Sequence, residues 1–293
     1  MSKAQRHQNS TYIGRFAPSP TGPLHLGSLV SAVASYLDAR SQQGQWLLRI
    51  EDLDPPREQP GAAEAIIRSL KAHHLHWDGE IVWQSQRHHL YQQALDTLLA
   101  QGDAFRCSCS RAQLRANGGI HSGQCVTELV PDDAAIRLRV NHHVELFDDR
   151  LLGPQQQNLA EEGDFVLRRR DGLYAYQLAV VIDDADQHIT DIVRGSDLLD
   201  STGRQRFLQQ CLGLPEQRYL HIPVLTGADG CKLSKQSFAP AIDNLQPEAN
   251  LRQALRYLRQ PAPPADLPLD ALLAWSCRHW QLENLPRTLS MPC

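Results

Sequence analysis

No apolar run in this chain approaches the ~20 residues that a membrane-crossing helix needs. The longest clean stretches, such as Leu178–Ile182, are about five residues. The first residues, Met1 to Ser10, are polar and lack the apolar core of a secretory signal, so a cytoplasmic protein with no membrane partner is expected. An excess of one charge is also missing: 29 basic against 33 acidic residues leave a net charge of −4. That balance does not advertise a nucleic-acid binder, but a phosphate backbone requires only a local positive stripe. Repeats and low-complexity tracts are absent, and 42% hydrophobic with 21% charged residues excludes whole-chain disorder and collagen-like repetition. Cysteine is neither abundant nor even in number. Of seven, three crowd into Cys107–Cys125, which in a reducing compartment suggests a metal rather than disulfides.

What is present is enough for one large domain, or a main domain with an insertion, in 293 residues. Thr11–Phe16 is a short buried strand, and the prolines of Ala17–Pro23 force a loop by fixing φ and removing donors. Leu26, Leu29, Val30, Val33, Tyr36 and Leu37 then recur at helical spacing before Gly44, and Trp46–Ile50 is a compact strand. This strand–helix–strand unit points a helix N-terminus at the edge of a parallel sheet where ligands usually sit. Helices follow at about Gly61–Ala72 and Arg87–Gln101. Residues 105–163 lose this pattern and are read as an inserted subdomain between a first core half, 11–104, and a second, 164–240. Residues 241–293 form a helical appendage. Within the second half, Asp171-Gly172 between Asp164–Arg170 and Leu173–Ile182 signals a two-stranded hairpin. Later helices are expected at Thr202–Cys211, around Leu251, Leu255 and Leu258, and near Leu269–Trp280.

Three motifs carry chemistry. In Arg15-Phe-Ala-Pro-Ser-Pro-Thr-Gly-Pro-Leu-His25-Leu-Gly27-Ser28, a histidine and a glycine stand where a loop enters a helix. Free N–H groups and the helix dipole attract phosphate there, Gly27 lets it approach, and His25 donates a hydrogen bond. Leu48-Arg-Ile-Glu51-Asp52-Leu-Asp54 ends a parallel strand with carboxylates suited to an ammonium group or ribose hydroxyls, with Asp54 also suited to capping. Lys232-Leu-Ser-Lys235 follows the glycine-containing Thr226–Gly230 and offers two cations to a leaving pyrophosphate.

A fourth constellation, Cys107-x-Cys109, His121 and Cys125, offers three thiolates and an imidazole to one structural zinc ion, with Gly118, Gly119 and Gly123 letting the chain fold back. All four positions are protein ligands, which favours a structural role. His142 and His143 sit in a polar, strand-like context and are weaker candidates. Arg168, Arg169 and Arg170, and the helical face of Arg252, Arg256 and Arg259, are open to solvent or RNA.

Together, RFAPSPTG…HLGS, LRIEDLD, the stretch from Tyr176 to Leu199, and KLSK resemble the glutamate-specific class I aminoacyl-tRNA synthetases, over roughly Tyr12 to Ala239. The resemblance implies an α/β fold with a Rossmann-like parallel sheet, an inserted zinc-containing subdomain and a short helical C-terminal part. It implies that Arg15 grips the glutamate side chain, a guanidinium being a planar bidentate partner for a carboxylate. Ala17 and Ser19 would line the same pocket, Glu51 would hold the α-ammonium, and Tyr176 and Arg194 would complete the amino-acid site. His25, Gly27, Ser28 and Lys235 would bind ATP, with Mg2+ accompanying it. His25, Lys232 and Lys235 would assist catalysis. Ser28 stands where a second histidine is usual, and Val180 where asparagine is often found.

Only 58 residues follow Lys235 (293 − 235), too few for the long anticodon-binding region of the conventional enzymes. The shortened form resembles the glutamyl-Q tRNA(Asp) branch, implied to act as a monomer on ATP, L-glutamate and tRNA(Asp) carrying queuosine in its anticodon loop. The alternatives are a truncated enzyme charging a tRNA 3′ end, a small-molecule adenylyltransferase, and a non-catalytic RNA-binding relic. Glu51, Tyr176 and Arg194 argue against the adenylyltransferase, and the retention of Arg15, Lys232 and Lys235 argues against the relic.

Overall fold

Strand β1 (Ile13–Phe16), helix α1 (Leu26–Ser41) and strand β2 (Gln45–Ile50) form the expected unit, with β1 and β2 parallel from Ile13↔Gln45 to Phe16↔Leu48. The helix buries Leu29, Val30, Val33 and Leu37 along the face that its sequence spacing marks. It ends before Gly44, where a side chain would collide with Tyr12. The computed structural model describes residues 11–116, 118, 120–121, 125, 131, 133–227, 233 and 240–293.

Helix α2 (Ala62–Ala72) leads to β3 (Val82–Trp83), which pairs parallel with β2. Helix α3 (His88–Gln101), strand β4 (Ala104–Cys107), helix α4 (Arg111–Ala116) and strand β5 (Ala135–Leu138) follow. Strands β6 (Val144–Asp149) and β7 (Gly153–Asn158) make an antiparallel hairpin, and β8 (Phe165–Arg168) completes an antiparallel sheet in the order β4-β5-β8. Helix α5 (Tyr176–Asp186), strand β9 (Asp191–Gly195), helix α6 (Leu199–Cys211) and strand β10 (Arg218–Ile222) return to the parallel pattern, giving the order β7-β6-β10-β9. Beside β1 the chain enters β9: the Thr190 amide donates to the Ile13 carbonyl, and the Ile13 amide donates to Thr190 Oγ1. The parallel β1-β2-β3 sheet and the mixed β7-β6-β10-β9 sheet therefore abut along β1 and β9. Strand β11 (Val224–Thr226), helices α7 (Pro247–Tyr257) and α8 (Leu269–Arg278), and strand β12 (Ser290–Pro292) close the structure, with β12 parallel to β11.

The main core joins β1, β2, α1, α7 and α8 through Trp46, Leu37, Ile50, Leu255 and Leu272, all buried. A second cluster packs α3 against α5 and the β5–β8 strands through Tyr91, Leu95, Ile136 and Val181. No helix among the described residues is long and apolar enough to cross a membrane.

One expected element is different. The Asp171-Gly172 turn forms, with Gly172 in the left-handed region (φ 86°), but the return strand stops after a single bridge between Arg168 and Tyr174. The following residues are helix α5, not the strand read at Leu173–Ile182. Leu178, Ala179, Val180 and Val181 are all buried. A segment covered on every side carries neither a period of two nor one of 3.6, so local pattern does not separate strand from helix.

Candidate active site and metal centre

Arg15 lies on β1 and is buried, so its charge needs a partner. Asp184 on α5 provides it, accepting from Nε at 3.0 Å and from Nη2 at 3.3 Å. Arg49 on β2, fully buried, reaches the same carboxylate at 2.8 Å, Glu51 at 3.5 Å and the Gln187 amide oxygen at 2.7 Å. Neighbouring Asp183 accepts from Arg87 (2.6 Å), Gln84 (2.7 Å) and the Tyr91 hydroxyl (2.8 Å). Burial acts against ionisation of Asp184, but Arg15 and Arg49 overcome it and hold the carboxyl below its ordinary range. At Glu51 burial wins over Arg49 and Arg15, and its pKa is raised. The backbone amide of Glu51 donates to the Pro18 carbonyl at 3.0 Å, which binds the Ala17–Pro23 loop to the end of β2 and sets Ala17 and Ser19 beside Glu51.

Arg194 on β9 is held on three sides. Its Nε donates to His221 Nε2 (3.0 Å), Nη1 to Gln205 Oε1 (2.7 Å), and Nη2 to Thr202 Oγ1 (2.8 Å) and the Leu198 carbonyl (3.3 Å). His221 can accept there because its Nδ1 faces Asp149 at 2.7 Å, which puts the proton on Nδ1. Asp149 in turn accepts from the amides of His221, Leu151 and Leu152. Tyr219 stacks parallel to His221, with the Arg194 guanidinium 5.4 Å from its ring centre. Burial raises the Tyr176 hydroxyl pKa; Arg194, Arg15 and the Gln205 amide pull it down and Glu51 pushes it up. The four amino-acid-site candidates Arg15, Glu51, Tyr176 and Arg194 thus converge. The sequence reading missed Arg49, Asp183, Asp184 and Gln205. The first three carry a usable signal, because charges inside the apolar runs WLLRI and VVIDD need buried partners.

At the start of α1, His25 is the N-cap residue: its Nδ1 accepts from the Ser28 amide (3.3 Å), and its Nε2 is 3.0 Å from Ser28 Oγ. Ser28 thus orients His25. A Cβ on Gly27 would stand 3.1 Å from the His25 ring, so the glycine makes room for the imidazole. It would also stand 3.9 Å from the carbonyl of Leu233, which lies beside the helix start. Lys232 and Lys235 themselves lie outside the described residues. Val180 packs in the α3–α5 cluster.

The cysteine constellation comes together. Ligand atoms of Cys107, Cys109, His121 and Cys125 all lie within 4.8 Å of one another. A Zn–S length of about 2.3 Å requires tetrahedral sulfurs about 3.8 Å apart, so the donor set and its spacing fit zinc. His121 Nδ1 faces Asp164 at 2.8 Å, while Nε2 lies 3.7 Å from Cys125 Sγ. A carboxylate behind the ligating imidazole is the usual support of such a site. Asp164 is itself fixed by the Val140 amide, and Gly163 (φ 73°) cannot take a side chain, whose Cβ would collide with the His121 carbonyl. His142 is exposed and His143 pairs with Glu145, so neither joins the cluster. Of the arginine stripes, Arg252 donates to the carbonyls of Pro263, Pro264 and Ala265, and Arg169 pairs with Asp171, while Arg170, Arg256 and Arg259 are exposed.

The family model for tRNA synthetases class I (E and Q), catalytic domain, matches residues 13–126 and 127–260. A glutamyl-Q tRNA(Asp) synthetase of Pseudomonas fluorescens is 55% identical over 289 residues, covering 97% of each chain. One of Vibrio vulnificus is 50% identical, over 96% of this chain and 93% of its own. The crystal structure of a glutamate tRNA ligase from Elizabethkingia meningosepticum in complex with its amino acid superposes with a TM-score of 0.81, covering 97% of this chain and 67% of that one. At 24% identity that likeness shows the fold alone.

Proposed function

Because the chain belongs to the catalytic-domain family of the class I tRNA synthetases for glutamate and glutamine, we propose that it activates L-glutamate with ATP and transfers the glutamyl group to the queuosine base in the anticodon loop of tRNA(Asp). The observation that carries this reading is the end-to-end match to relatives of that name, at about half identity and nearly full coverage of both chains.

In the first step an oxygen of the glutamate α-carboxylate attacks the α-phosphorus of ATP, the bond to pyrophosphate breaks, and glutamyl-adenylate forms. In the second the RNA acceptor attacks the adenylate carbonyl and AMP leaves. Arg15 and Arg194 read the amino acid with Tyr176, Glu51 faces the α-ammonium, and Ala17 and Ser19 line the pocket. His25, Gly27 and Ser28 form the phosphate-binding helix start. Lys232 and Lys235 supply positive charge as the pyrophosphate leaves, with Mg2+ entering as part of the ATP substrate. Cys107, Cys109, His121 and Cys125 hold one structural zinc, which ties β4 to the chain segment ahead of β5. The protein works in the cytoplasm, as a monomer.

The test is ATP–pyrophosphate exchange with and without glutamate in the absence of tRNA, followed by transfer of labelled glutamate to tRNA(Asp) with and without queuosine. Exchange that depends on glutamate, and transfer only to the queuosine form, are expected. Transfer to a tRNA 3′ end instead would leave activation standing and overturn the acceptor.

A further inference from the structure

Thr202 and Gln205 lie three residues apart on α6, so both face β9 and the Arg194 guanidinium. Arg194 Nη1 donates to Gln205 Oε1 at 2.7 Å. A guanidinium has no acceptor, so this contact fixes which end of the amide faces it: the oxygen toward Arg194, the Nε2 group away. Gln205 is only 2% exposed, and its Nε2 has no acceptor within 3.5 Å among the described residues; its amide meets the Tyr176 hydroxyl as a longer contact. With at most one N–H turned to that hydroxyl, at least one is unpaired, which is destabilising in a buried amide unless an acceptor completes it. Tyr176 lies among the same groups: Arg194 and Arg15 lower its hydroxyl pKa as Gln205 does, and Glu51 raises it.

Strand order says which part of the amino acid arrives there. Glu51 follows β2, Arg15 is on β1 next to it, and Arg194 is on β9, on the far side of β1. With the α-ammonium at Glu51, the side-chain carboxylate is the end that extends across β1 toward Arg194 and Gln205. We propose that Gln205 is a specificity-determining residue: its Nε2 donates to the side-chain carboxylate of bound glutamate while its Oε1 locks Arg194 in place. An N–H in that position donates to a carboxylate oxygen and opposes the NH2 of glutamine. The inference rests on the glutamate-activation reading, and wild-type exchange without any dependence on glutamate would overturn that reading before a variant is made.

Gln205→Glu separates the two roles, since it keeps an oxygen of the same reach for Arg194 but removes the N–H donor. In glutamate-dependent exchange by the full chain, KM for glutamate should rise about 10–100-fold, with kcat within a few-fold and KM for ATP unchanged. The preference for glutamate over glutamine, as a ratio of kcat/KM, should fall at least about tenfold. Gln205→Met, of similar length and uncharged, serves if the glutamate variant does not fold, and it too should raise KM for glutamate. A folded Gln205→Glu protein with wild-type KM and wild-type selectivity would show that Gln205 only holds Arg194, and would overturn the proposal. So would a wild-type KM in Gln205→Met.

Discussion

In the proposed function Arg15 has two tasks on one guanidinium, pairing with Asp184 and reading glutamate. Nε and one hydrogen of Nη2 are engaged by Asp184, leaving the outer Nη hydrogens for a ligand. Arg15→Ala therefore removes more than a substrate contact: it takes one of two cations from a buried carboxylate. Breaking a buried pair costs up to about 3–5 kcal/mol, though Arg49 still contacts Asp184 and should keep the loss below that range. Arg15→Lys keeps the charge without the planar fork, and should cut glutamate kcat/KM about 100-fold with only a small fall in the urea midpoint. Near-normal glutamate kinetics in that variant would assign side-chain reading elsewhere. The sequence shows Arg15 as a candidate because a fourteen-residue motif surrounds it. Asp184 is not legible in the same way, because its partners, Arg15 and Arg49, are more than 130 residues away and only the fold brings them together.

Among the elements, the amphipathic ones are readable: α2, α3 and α7 carry a buried stripe and a polar face, and their spacing locates them within a few residues. Helix α5 has no such stripe, because its apolar half is covered all round, and the spacing alone does not separate it from a strand. The small β4-β5-β8 sheet depends on what stands behind it, and Asp164–His121 links the cysteine cluster to its edge. A structural zinc contributes folding free energy directly. Chelation should therefore raise amide exchange at Ala104–Cys107 and Ala135–Leu138 while leaving Ile13–Phe16 protected; equal protection before and after would contradict a stabilising metal. Strand β10 makes a different prediction through His221. Burial chiefly, with Arg194 beside it, holds the imidazole pKa below its ordinary 6.5, against the pull of Asp149 and Asp197. The unfolded chain then binds a proton that the folded chain does not, so this contribution to stability is complete above pH 6.5 and declines as pH falls from there toward the folded value. Urea midpoints should drop between pH 7.5 and 5.5, and less steeply in His221→Gln; equal slopes would mean that other histidines dominate.

At the scale of the molecule, one carboxylate joins parts of the chain that are far apart in sequence. Asp38, 1% exposed near the end of α1, accepts from the Tyr12 hydroxyl at 2.5 Å, from Arg150 at 2.6 and 3.0 Å, and from the Trp280 indole at 3.1 Å. Arg150 lies in the β6–β7 turn and also reaches Asp191 at the start of β9, which Arg218 of β10 contacts as well. The knot thus connects the entry to β1, the far hairpin, the mixed sheet and the segment after α8. Asp38 lies thirteen residue steps beyond the N-cap His25, and at 1.5 Å per step that is about 20 Å. A substitution at Asp38 should therefore act on stability and leave the amino-acid pocket alone. Asp38→Ala leaves Arg150 with only its 3.4 Å contact to Asp191 and removes the acceptor of the buried Tyr12 hydroxyl and the partly buried Trp280 indole, for which a loss of up to about 3–5 kcal/mol is expected. The urea midpoint should fall accordingly, while KM for glutamate, measured where the variant is still fully folded, stays within about twofold of wild type. A large rise in KM with little loss of stability would mean that the two ends of α1 are coupled, and that the helix transmits the state of the knot to the His25 turn proposed to bind phosphate.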